Sequence, residues 1–170
     1  MRVMYGLVCT VMLLILCRQV VLAADPVPVK ATVAKGPSLA LAIEAAREAI
    51  DTCRADGDQK TAASVVDAAG VLKVLLASDG ASARGVSSST VKAQTALQYQ
   101  KSTSALFEQA KVDPAFAATL AANPAVNGRP GGILIKLGEE VIGAIGVGGG
   151  RTDEPCAIAG LQKIQSRLGL

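Results

Sequence analysis

The chain has 170 residues, room for one domain, and its 51% apolar against 18% charged residues exclude a disordered chain. Aromatics are only 2%, Trp and His are absent, and much of the apolar fraction is Ala, so elements must pack closely through small side chains. Without histidine, no Ser-His-Asp triad, Cys-His pair, HExxH zinc site or histidine-ligated haem can be built from this chain alone. A charge of +3 with no basic cluster, no zinc spacing and almost no stacking aromatics argues against nucleic acid as a partner.

Residues 1–24 read as a signal peptide. Arg2 gives a positive start, Val3 to Cys17 is an apolar run of 15 residues, and Ala23 and Ala24 supply small residues before Asp25. The expected location is therefore secreted or periplasmic. A retained anchor is the alternative, and membrane contact is expected only in that case; the run is short for a span of about 20 residues. The methionines, Met1, Met4 and Met12, all lie in this segment. Removing it takes Arg2 and Arg18, leaving 15 basic against 14 acidic residues and a charge of +1. Cys9 and Cys17 leave too. Cys53 and Cys156 then fit either one disulfide or two buried free thiols; a catalytic thiol is disfavoured because no histidine exists to activate it.

Residues 25–37 should be extended, because Pro26, Pro28 and Pro37 oppose helix. A domain over residues 38–168 follows. Ser38 caps a helix from Leu39 to Ala55, with apolar residues at 39, 43, 46, 50 and 53 on one stripe. Thr61 to Asp67 and Val71 to Ala77 form a hairpin about Ala68-Ala69-Gly70, with Asp67 accepting backbone N–H bonds in the turn. Residues 78–89 read as a polar loop, and a second helix is expected from Ser88 or Ser89 to about Gln100. A turn or two through Lys111 and a short helix from Pro114 to Ala122 come next, then a loop to Pro130.

Ile133 to Leu137 and Glu140 to Val147 form a second hairpin about Gly138-Glu139. Gly148-Gly149-Gly150 reads as a flexible junction before a last helix, capped at Thr152 or Asp153 and running to Leu168. The order helix, hairpin, helices, hairpin, helix argues for an α+β fold with a central antiparallel sheet and helices packed on it. The second hairpin is apolar on both faces, and the helices left to cover one face are short. A homo-oligomer is expected to bury that face, with Gly143 and Gly146 permitting close approach; residues 102–122 folding over it is the monomeric alternative.

Candidate binding residues are the charged and glycine-rich ones. Asp79, Arg84 and Lys92 bracket the loop after the first hairpin, and the two cations suit a carboxylate or other small anionic ligand. The alternative is a turn at Asp79-Gly80 with both cations solvated. Arg129 beside Gly131-Gly132 is a further candidate. Gly149, within Gly148 to Gly150, and Arg151 at the last helix N-terminus could cradle an anion on backbone N–H groups, the alternative being a hinge. No GxxxxGK[ST] spacing follows the glycines. Glu139-Glu140 at a hairpin tip reads as solvated, and no second carboxylate can be set opposite Asp67 for acid/base work. No catalytic residue and no metal ligand is assigned.

Several stretches in order resemble the GlcG/HbpS family, the haem-degrading or haem-binding domain also seen as the C-terminal domain of some cobalamin adenosyltransferases. They are Ser38-Leu39-Ala40-Leu41-Ala42, Val65-Val66-Asp67-Ala68-Ala69-Gly70, Ser78-Asp79-Gly80-Ala81, Lys92-Ala93-Gln94-Thr95-Ala96, Pro130-Gly131-Gly132-Ile133, Gly143 through Gly149, and Asp153-Glu154-Pro155-Cys156-Ala157. The resemblance implies a single α+β domain that oligomerises, and it implies haem as a candidate ligand. The expected function is an exported small-molecule-binding protein for haem or a related tetrapyrrole. The alternatives are an enzyme on a small carboxylate-type metabolite and an oligomeric structural or signalling module that contacts a partner protein. Histidine is missing as an iron ligand, which leaves Tyr99, the two cysteines, lysines and carboxylates.

Overall fold

The computed structural model describes residues 33–169, so the leader and the segment through residue 32 lie outside the described residues. Helix α1 (Leu39–Ala55) starts where Ser38 Oγ accepts the Leu41 N–H at 3.3 Å. Strands β1 (Ala62–Asp67) and β2 (Leu72–Ala77) form the first hairpin. Helices α2 (Ala83–Tyr99), α3 (Thr103–Val112) and α4 (Pro114–Ala122) lead to strands β3 (Gly132–Leu137) and β4 (Glu140–Gly148). Helix α5 (Asp153–Ile164) closes the chain, followed by a 3-10 turn at Gln165–Arg167 in place of the helix expected to Leu168.

The sheet is four-stranded and antiparallel throughout, in the order β2-β1-β4-β3. The two hairpins thus meet through β1 and β4, with Val65 opposite Ile145. On one face, Ala63, Val65, Ile135, Ile145 and Val147 pack against α1 and α5. Those helices meet through Ala42, Ala45, Ala46, Ala49, Ala157 and Gly160, where a side chain at Gly160 would strike the Ala45 carbonyl. Small side chains set this interface, as the scarcity of aromatics requires. Cys53 and Cys156 are bridged across it, with Cα atoms 5.5 Å apart, so of the two readings left open for them the bridge is the one realised.

Three expectations need correction. Helix α2 begins at Ala83, not at Ser88 or Ser89, because Ser82 Oγ caps it by accepting the Gly85 N–H at 3.0 Å. Gly85 is a poor helix former in isolation, but it lies against the backbone of Gly148 and Gly149, where a Cβ would not fit. Second, the sheet face left to a partner subunit is covered by α2 itself. Gly146 and Gly148 admit it: a side chain at Gly146 would run into the Ser89 carbonyl. Ser64 Oγ on β1 then bonds Ser89 Oγ at 2.7 Å and Thr90 Oγ1 at 2.8 Å on that helix. Third, Gly148-Gly149-Gly150 is no flexible junction, since all three glycines are pressed against α2, the segment 59–61 just before β1, or Asp153.

Candidate functional site

The N-terminal half of α2, α3, the loop 123–130, the loop 149–152 and the first turn of α5 surround a cleft of about 1350 Å³. That exceeds the roughly 300–1,000 Å³ of an ordinary small-molecule pocket. Arg84, Arg129 and Arg151 stand exposed around it. Val91, Phe107, Val126, Pro130, Pro155 and Ile158 give it apolar walls, and Phe107 and Ile158 are 39% and 38% exposed. Among the described residues, none of the three guanidinium groups makes an ion pair. A guanidinium without an ion pair is a free planar donor able to bind a carboxylate in a bidentate manner.

Each wall is fixed by polar side chains. Asn127 ties the loop 123–130 to α2: its Nδ2 donates to Ser88 Oγ at 2.9 Å, and its backbone N–H donates to Thr95 Oγ1 at 3.0 Å. Its Oδ1 also accepts the Arg129 N–H at 3.1 Å, which sets the turn that presents this arginine. Gln59, nearly buried, holds the opposite wall. Its Oε1 accepts the Arg151 N–H at 2.6 Å, and its Nε2 donates to Thr152 Oγ1 at 2.6 Å and to the Asp56 carbonyl at 2.8 Å. The Arg151 guanidinium extends beside Gly57, just past the end of α1, while Arg151 itself lines the cleft.

Lys92 is brought to the cleft but not as a solvated cation. Its side chain is 4% exposed, and Nζ donates to Asp153 Oδ2 at 2.6 Å and to the Val147 carbonyl at 3.1 Å. Asp153 Oδ1 in turn accepts the Gly150 N–H at 2.8 Å. This buried pair joins α2, β4 and α5 beneath the floor, and its charges cancel. Glu154 stands on the wall and accepts a bond from Ser104 Oγ.

Of the residues singled out from sequence, Arg84, Lys92, Arg129, Gly149 and Arg151 share this cleft, while Asp79 does not. Asp79 lines a separate hollow of about 240 Å³ with Arg47, Asp51, Arg54 and Lys60. Helix α2 starts at Ala83, so Arg84 sits in its first turn and Asp79 in the turn before it. Asp67 keeps the turn role, its Oδ1 accepting the Ala69 and Val71 N–H groups at 2.9 and 3.0 Å. At the hairpin tip, Glu140 bonds Lys35 at 2.8 Å on the surface.

The model of the family described as haem degrading protein HbpS-like matches residues 38–162. The chain belongs to the HbpS-like family. A double-substituted form of HbpS from Streptomyces reticuli is 32% identical, covering 82% of this chain and 97% of that one, with a TM-score of 0.69. The crystal structure of a PduOC:heme complex is 21% identical over 76% of this chain and 95% of that one, with a TM-score of 0.68. The protein ORFY of Klebsiella pneumoniae is 24% identical over 84% and 99%, with a TM-score of 0.71. At those last two identities the likeness is one of fold. No curated protein shows a significant match.

The cleft fits the periphery of a haem better than its metal. Its apolar walls suit a ring and its arginines suit propionates. A strong iron ligand is another matter: Cys53 and Cys156 are bridged, Lys92 is engaged, and Tyr99 packs edge-on against Phe116 at 6.1 Å, away from the cleft lining.

Proposed function

We propose that this protein is an exported binder of haem or a related tetrapyrrole, held in the cleft between α2 and α5. The observation that carries the reading is the set of arginines free of ion pairs, Arg84, Arg129 and Arg151, around apolar walls wide enough for a large flat ligand. Membership of a family described as haem degrading supports the choice of ligand. The Cys53–Cys156 bridge supports export, since disulfides persist in oxidising compartments, and so does the apolar leader.

Haem titration of the purified protein tests the binding reading. A saturable Soret change at one haem per subunit is expected, with affinity falling about tenfold for Arg84→Ala or Arg129→Ala if each loses a charge-assisted bond. Weak, non-stoichiometric broadening would refute it. N-terminal sequencing of the secreted fraction tests export, with a start near Asp25 expected; full-length protein held in membranes would overturn it.

A further inference from the structure

We propose that the cleft recognises a tetrapyrrole by its ring and carboxylates without ligating the metal, so that an iron-free porphyrin dicarboxylate binds as well as haem. This rests on the tetrapyrrole reading above and sharpens its ligand class. The domain holds few donors able to ligate iron. Histidine is absent from the sequence, and methionine occurs only at positions 1, 4 and 12. The thiols of the domain are consumed in the Cys53–Cys156 bridge, and both lie buried on the other side of the sheet from α2.

The charged and amide donors on the cleft wall, Glu154 apart, are committed elsewhere, and the serine and threonine hydroxyls are weak ligands for iron. For Lys92 to ligate, its ammonium would have to lose a proton and leave both Asp153 and the Val147 carbonyl, stranding a buried carboxylate. Asp153 has one oxygen on Lys92 and the other on the Gly150 N–H. The Asn127 amide is spent on Ser88 and the Arg129 N–H. Glu154 is the one acid left. One of its oxygens takes the Ser104 hydroxyl, and its hard carboxylate shares the cleft with cations that compete for it.

Ring burial against Phe107, Val126 and Ile158 and carboxylate pairing with the arginines are the terms left to set affinity. Both are the same whether or not iron sits in the ring. Arginine is well suited to this work because its planar fork matches a carboxylate and stays charged at any working pH.

The experiment compares haem with protoporphyrin IX on the full protein, by absorption and by fluorescence. The two dissociation constants should agree within about threefold, and Arg84→Ala should weaken both alike. Glu154→Gln should leave their ratio unchanged. Bound ferric haem should be high-spin by electron paramagnetic resonance and accept added imidazole. Haem binding more than about tenfold tighter than the iron-free ring, or low-spin ferric haem in the untreated complex, would overturn the inference and leave the tetrapyrrole reading standing. Failure of both porphyrins to saturate would instead remove that reading and the inference with it.

Discussion

Replacing Cys53 and Cys156 together by alanine removes a bond that closes a loop with a sequence separation of 103 residues. Cross-linking a loop of about 100 residues lowers the entropy of the unfolded chain by an amount equivalent to about 4.7 kcal/mol at 25 °C, and measured losses run from about 2 kcal/mol upward. Both sulfurs lie in a fully buried seam between α1 and α5, where alanine is already the prevailing residue, so the replacements add little packing strain of their own. An unfolding entropy of about 2.1 cal/mol/K per residue over the 137 described residues gives about 0.29 kcal/mol/K. The double variant should therefore melt about 7–16 °C lower than the oxidised protein. Differential scanning calorimetry reads this directly, with alkylation and intact mass confirming that the parent carries no free thiol in its domain. A fall of less than about 3 °C would refute the claim that the bridge restrains the unfolded chain.

Other outcomes follow from single contacts. Lys92→Met should cost about 3–5 kcal/mol in urea unfolding by stranding the buried Asp153 carboxylate, and Lys92→Met with Asp153→Leu should recover much of it; equal losses in the two variants would argue against the ion pair. Gly146→Val should destabilise by about 1–3 kcal/mol, because the new side chain meets the Ser89 carbonyl and the Ala93 backbone; an unchanged urea midpoint would show that α2 does not lie there. Glu44 should titrate below the ordinary glutamate range, because Arg167 hydrogen-bonds its carboxylate at 2.7 Å. With the folded pKa depressed, its contribution is present above the unfolded pKa and fades as pH falls through the folded one. Carboxyl-resolved NMR should see the Glu44 midpoint rise in Arg167→Gln, and an unmoved midpoint would remove the pairing.

The parts legible in the sequence are those with local causes. Ser38 before an apolar stripe gives α1, Asp67 before Ala68-Ala69-Gly70 gives the first turn, and Gly138 between two apolar runs gives the second. Gly85 and the serines at 87 to 89 hid the start of α2, because what makes glycine favourable there is the backbone of Gly148 and Gly149, more than 60 residues away. The same distance hid the partner of Lys92, since Asp153 lies 61 positions on and nothing local marks the pair. Gln59 carries no motif at all, and only the folded chain sets its amide between the end of α1 and the Arg151 loop. The arginines of the cleft were readable as charges, but the apolar walls that give them a use come from segments that read as loops and weak helices.

The alanine seam between α1 and α5 also bears on how stability changes with temperature. Apolar surface exposed on unfolding is what raises the heat capacity, by about 0.45 cal/K/mol per Å², and alanine exposes less of it than leucine or phenylalanine would at the same position. A bridged unfolded chain that stays more compact exposes less again. The heat-capacity increment per residue should therefore fall below the usual 12–15 cal/mol/K, giving a broad, shallow curve of stability against temperature. Such a protein gives up little of its stability on cooling or moderate warming.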